Sequence, residues 1–174
     1  KRLHKALKIA RKLQNKEEMA KALQALGELY STKGEFREAK KNLREALEIA
    51  EELENPTLEA ISHTGLGIIH SNQDKPDLAI DQFEKAIMAL ETDENALELA
   101  RVKINTGTVQ ASTGEYEEAI ANFEDAIELC NQTGDIRLQA YALAGAAHVY
   151  IMDNEPETAR DYLEEALSIF TSLG

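Results

Sequence analysis

Apolar residues recur along this chain at intervals of three and four, and short turn-forming clusters break them into segments of helical length. The segments are not independent. Gly114 is followed by Tyr116, and then Ala119, Phe123 and Ala126 share one helical face. The same stripe stands 40 residues earlier at Ala79, Phe83 and Ala86, and earlier again at Ala39, Leu43 and Ala46. It returns at Ala159, Leu163 and Ala166. A pattern that recurs at a fixed step of this size marks an array of stacked repeats, each one a supersecondary unit that cannot bury its apolar face alone.

The spacing predicts helices over 1–14, 16–32, 36–53, 57–72 and 76–90. Three more follow: one containing Gly107, one from Tyr116 to Cys130, and one containing Ala147. A last helix runs through Phe170. The opening helix carries Leu3, Ala6, Leu7, Ile9, Ala10 and Leu13, which match Leu43, Ala46, Leu47, Ile49, Ala50 and Leu53 one step on. It therefore reads as the second helix of a repeat whose first helix is missing, so a piece of a longer protein is expected. The chain divides into a half repeat (1–15) and four repeats (16–55, 56–94, 95–134 and 135–174). Between them, Lys33-Gly34, Asn55-Pro56, Asp74-Lys75-Pro76, Gly134-Asp135 and Asn154-Glu155-Pro156 supply turns and caps, with Thr92 or Asp93 expected to cap the third repeat. No segment reads as a strand.

Two antiparallel helices approach closely only where their crossing side chains are small. Gly27, Gly67, Gly107 and Ala147 fill that slot on the first helix of each repeat, and Ala39, Ala79, Ala119 and Ala159 answer on the second. Leu43, Phe83, Phe123 and Leu163 are expected to fill the space between one pair and the next.

Composition narrows the chemistry. The 174 residues carry a formal charge of −13, yet residues 1–21 hold eight Lys/Arg against two acids. An acidic body disfavours nucleic acid and anionic membrane and favours a partner with basic patches. The apolar runs fall short of the roughly 20 residues that span a bilayer. The single cysteine, Cys130, cannot form an internal disulfide, which suits a cytoplasmic location. Because Cys130 aligns with Ala50, Leu90 and Phe170, it reads as a buried small hydrophobe. His4, His63, His70 and His148 include no pair at metal-binding spacing, and His70, aligned with Tyr30 and Tyr150, reads as a packing residue. No phosphate loop, nucleophile elbow or zinc knuckle is present, so no enzyme activity, cofactor or metal is expected.

The repeated residues resemble the tetratricopeptide repeat. Leu26, Gly27, Tyr30, Gly34, Phe36, Ala39, Leu43 and Ala46 follow its pattern in order, and Gly107, Gly114, Tyr116, Ala119, Phe123 and Ala126 follow it again. The second and fourth repeats depart at the turn, with Asp74 and Pro76, and Asn154 and Pro156. The resemblance implies an all-α, right-handed α-α superhelix of nine helices: four helical hairpins and the N-terminal half repeat. The usual repeat is 34 residues; this 40-residue form resembles kinesin light chains, spindle-orientation adaptors, Rap-type peptide-sensing regulators and MalT-like regulators. The carboxylate clamp of chaperone-binding relatives is not recognisable here.

In such arrays the first helices line a concave groove. The inward positions are Lys21, Gln24 and Glu28; Ile61, Thr64 and Ile68; Arg101, Ile104, Asn105 and Thr108; and Tyr141 and His148. Asn105 stands where several relatives bind a peptide backbone. Ala25, Gly65 and Gly145 are expected to leave room for a ligand. The resemblance implies a non-catalytic scaffold that binds a peptide or amphipathic helix there, with the isoleucines as apolar contacts. Two other readings stand beside it: a ligand- or peptide-sensing domain of a larger regulator, and a self-assembly module. The last would join copies through the bare face of Leu163, Leu167 and Phe170 on the C-terminal helix.

Overall fold

The computed structural model describes residues 2–91 and 95–173. Nine helices make up the ordered elements among the described residues: α1 (Arg2–Leu13), α2 (Lys16–Thr32), α3 (Phe36–Glu52), α4 (Pro56–Ser71), α5 (Pro76–Leu90), α6 (Ala96–Thr113), α7 (Tyr116–Thr133), α8 (Ile136–Met152) and α9 (Pro156–Leu173). They fall into two compact units, Lys1–Glu94 and Asn95–Gly174. In the first, α2 pairs with α3 and α4 with α5, while α1 lies on α2 and α3 on α4. In the second, α6 pairs with α7 and α8 with α9, and α7 lies on α8.

The turns follow the 40-residue step more closely than composition suggested. Gly34 and Gly114 have positive φ, and so do their repeat-mates Asp74 and Asn154, which lack glycine's freedom. Gln14, Glu54 and Gly134 form a second such series. Caps are periodic as well. The side chains of Asn15, Asn55 and Asn95 accept from the backbone N–H groups of Glu18, Leu58 and Glu98 at 3.1, 3.0 and 3.1 Å, and Asp135 accepts from Leu138 at 2.9 Å. Asn95 is thus the N-cap of α6; Thr92 and Asp93 lie outside the described residues. Because Pro56 sits in the first helical position behind the Asn55 cap, α4 begins one residue earlier than expected. Similarly, α7 continues past Cys130 until Gly134 closes it in the left-handed conformation. Asn55→Ala removes a cap, and urea melts should show a loss of about 1 kcal/mol.

Each unit has its own core. Leu7, Leu23, Leu26, Ala46, Ile49 and Leu58 cluster in the first unit, with Leu43, Leu66 and Ile69 forming a second layer. In the second unit, Phe123 packs with Ala119, Ala146 and Val149, and Cys130 with Ala100, Ala126 and Ala142. Burial pushes the Cys130 thiol above its ordinary pKa, so it behaves as the small hydrophobe its alignment implied. On α9 the register of the repeat persists but the face is open. Leu163 and Leu167 are 43% and 65% exposed, and Tyr141 lays its ring edge-on against Phe170 at 5.6 Å.

Candidate functional site

Small residues set the geometry. A Cβ on Gly27 would run into Leu43, and one on Gly67 into Phe83. These are the tight crossings expected within a helical pair. Gly65 and Gly145 correct the sequence reading, which had kept them free for a ligand. A Cβ on Gly65 would strike Leu43, and one on Gly145 would strike Phe123. The space at each Cβ is already taken by the large residue of the preceding repeat, because a 3.6-residue period turns this position toward the neighbouring helix; Gly145 borders open space only beside the Phe123 ring.

The six candidate positions of the first unit separate by burial. Lys21 and Glu28 are exposed, and Lys21 is held 2.6 Å from Glu17 and 3.7 Å from Glu18. Ile61 and Ile68 are half-buried. Gln24 is buried, and its amide donates to the Leu58 carbonyl at 2.8 Å and to Ser62 Oγ at 3.0 Å. It joins α2 to α4 and has no donor left for a ligand. Thr64 is buried too, its hydroxyl donating to the Ala60 carbonyl at 2.7 Å.

The second unit gathers its candidates more tightly. Ile104 is half-buried against both local clusters. Arg101 is exposed, its Nε 3.9 Å from Glu98. Asn105 donates to the Arg101 carbonyl at 2.9 Å, and Thr108 donates to that of Ile104 at 2.7 Å. Thr108 and His148 line one half-open cavity of about 520 Å³, with Ser112, Tyr116, Phe123, Gly145 and Met152 among its other walls. That volume falls within the range of ligand sites, roughly 300–1,000 Å³. Ser112 and Met152 escaped the sequence reading, although each stands four residues beyond a residue it did name, one helical turn further along the same face.

Glu98 is a second feature the sequence did not disclose. Its carboxyl is largely buried, and desolvation raises its pKa, against the opposing pull of Arg101. Among the described residues, no three His, Cys, Asp or Glu side chains group to hold a metal ion, and no helix is long and apolar enough to cross a membrane.

The tetratricopeptide-repeat pattern matches residues 1–52, 32–92 and 98–172. The chain belongs to the tetratricopeptide-repeat family. No curated protein matches its sequence. Solved structures resemble it closely in backbone. BtubC (BKLC) from P. vanneervenii superposes with a TM-score of 0.88 at 21% identity, over 99% of this chain and 72% of that one. Aspartyl phosphate phosphatase F from Bacillus subtilis gives 0.88 at 20% identity, and this chain spans 99% of itself but only 45% of that protein. YrrB, described as a tetratricopeptide-repeat protein with an unusual peptide-binding site, gives 0.62 at 25% identity, covering 97% and 78%. The fold is therefore a tetratricopeptide-repeat solenoid, an architecture commonly used as a protein-interaction scaffold.

Proposed function

We propose that this chain is a non-catalytic protein-interaction module whose second unit takes a peptide segment with basic side chains at the Thr108–His148 cavity. The cavity carries this reading. Phe123, Gly145 and Met152 give it apolar walls for a side chain, while Thr108, Ser112 and His148 bring hydroxyl and imidazole groups that can orient a peptide backbone. Charge favours a basic ligand. Residues 95–174 hold four Lys/Arg against fourteen Asp/Glu, a net of −10, whereas residues 1–94 hold fifteen against eighteen, a net of −3. The peptide-binding site named for YrrB supports the same class of ligand on a related fold.

Thr108 is exposed on α6, so a larger side chain there blocks the cavity without entering the core. Peptides selected from a displayed library on the wild-type chain should bind Thr108→Trp at least about tenfold more weakly by fluorescence anisotropy, a difference of about 1.4 kcal/mol. Binding should also weaken as salt rises. Equal affinity for the variant would remove the cavity from the reading, and selection of acidic peptides would remove the charge argument.

A further inference from the structure

The 40-residue step allows the packing of one second helix on the next first helix to be compared with itself along the chain. Where α1 meets α2, His4 Nε2 and the Tyr30 hydroxyl are hydrogen-bonded at 3.2 Å. Where α7 meets α8, Glu124 holds the corresponding place. It accepts from the Tyr150 hydroxyl at 3.5 Å and from Tyr162 of α9 at 3.1 Å. The His4–Tyr30 and Glu124–Tyr150 contacts link residues in equivalent positions. Where α3 meets α4, those positions are Arg44 and His70. His70 Nδ1 is buried and has no hydrogen-bond partner.

Two further cations lie near enough to act on the charge of His70. Lys40 lies one turn before Arg44 on α3, and its ammonium donates to Gln73 Oε1 at 2.8 Å, which holds it against the turn between α4 and α5. Lys75 stands in that turn, its backbone N–H donating to the His70 carbonyl at 3.1 Å. Among the described residues, four cations of this unit meet carboxylates: Arg11 with Glu45 at 2.6 Å, Lys16 with Glu52 at 2.7 Å, Lys21 with Glu17 at 2.6 Å and Lys85 with Asp81 at 2.7 Å. Lys40 bonds an amide rather than a carboxylate and His70 Nδ1 bonds nothing, so a group of cations stands here around an unsatisfied imidazole nitrogen.

We infer that Lys40, Arg44, His70 and Lys75 form a binding site for a phosphate group, either free or esterified to a side chain. A guanidinium, two ammonium groups and an imidazole N–H match the several acceptor oxygens and double charge of such a group, and these hydrogen bonds are the charge-assisted kind. The groups facing His70 agree. Burial and then Lys40, Lys75 and Arg44 hold its pKa below the ordinary value, and only Asp81 on α5 acts the other way. Lys40 is lowered as well, by burial and then by Lys75 and Arg44. A bound dianion would reverse these effects, so the site takes up a proton as it fills. It lies in the first unit and is independent of the peptide cavity.

The test is an NMR titration of the labelled chain with sodium phosphate and, in parallel, with O-phosphoserine, against sodium chloride at matched ionic strength. The His70 imidazole signals should shift saturably, and the His70 pKa should rise. Arg44→Gln and Lys75→Gln, both at exposed positions, should each weaken binding roughly tenfold and keep the wild-type circular dichroism. Saturation by either probe supports the site; O-phosphoserine alone would assign it to esterified groups. Shifts that chloride reproduces, that fail to saturate, or that survive unchanged in both variants would overturn it.

Discussion

Phe123→Ala is expected to lower the unfolding free energy by about 3–5 kcal/mol, as measured by urea or thermal unfolding. Phe123 is 2% exposed and packs with Ala119, Ala146 and Val149, between two helical pairs. Its ring also lies against Gly107 and Gly145, on α6 and α8. Truncation thus leaves a hole bordered by three helices, and glycine backbones cannot move side chains in to fill it. The effect should exceed that of Leu163→Ala, although the two residues are repeat-mates, because Leu163 is 43% exposed. A loss at Phe123 no larger than at Leu163 would show that the inter-pair layer contributes little to stability. Phe123 also walls the cavity, so the variant should lose affinity for any peptide that fills it.

That contrast shows what a sequence of this kind discloses. Helical periodicity and the 40-residue step placed every helix, because each repeat restates the same apolar stripe and errors in one copy are corrected by the others. Gly27 and Gly67 were legible for the same reason: a small residue facing a large one on a neighbouring helix is a steric requirement. Gly65 and Gly145 were not. Periodicity gives the angle at which a residue leaves its helix but not which neighbour meets it, and a glycine facing a ligand looks the same as one facing Leu43 or Phe123. The asparagine caps were missed for a different reason. Asn15, Asn55 and Asn95 recur at the repeat step, but they are polar residues in turns, where a search for apolar stripes does not look. Gln24 reads as a surface residue until the α4 backbone is placed beside it and its amide reaches Leu58 and Ser62. The cavity depends on the distance between α6 and α8, which no single repeat encodes, so of its lining the sequence offers only Thr108, His148 and Gly145 as groove positions.

Gly145→Ala should destabilise the chain even though it replaces a poor helix former by the best one. In an exposed helix the exchange would gain about 1 kcal/mol. Here the added methyl group meets three carbons of the Phe123 ring, and overpacking of this kind costs typically 1–3 kcal/mol. The ring's other side contacts Gly107 and the α7–α8 core, so it can give way only toward the cavity it walls and at the cost of those contacts. The cost should therefore outweigh the propensity gain, and the net loss should appear as a lower urea midpoint with an unchanged slope. A second substitution separates this cause from any other. Leu43 fills the equivalent place in the first unit and would itself be struck by a Cβ on Gly65, so leucine at 123 makes no room and Phe123→Ala is the exchange that does. With alanine at that position the methyl group at residue 145 has space, and the double variant should recover about 1 kcal/mol or more relative to the sum of the single changes. Strict additivity would mean that Gly145 is required for a reason other than the ring. Coupling of the expected sign would identify the glycine and the aromatic as one packing unit, each of which fixes what the other can be.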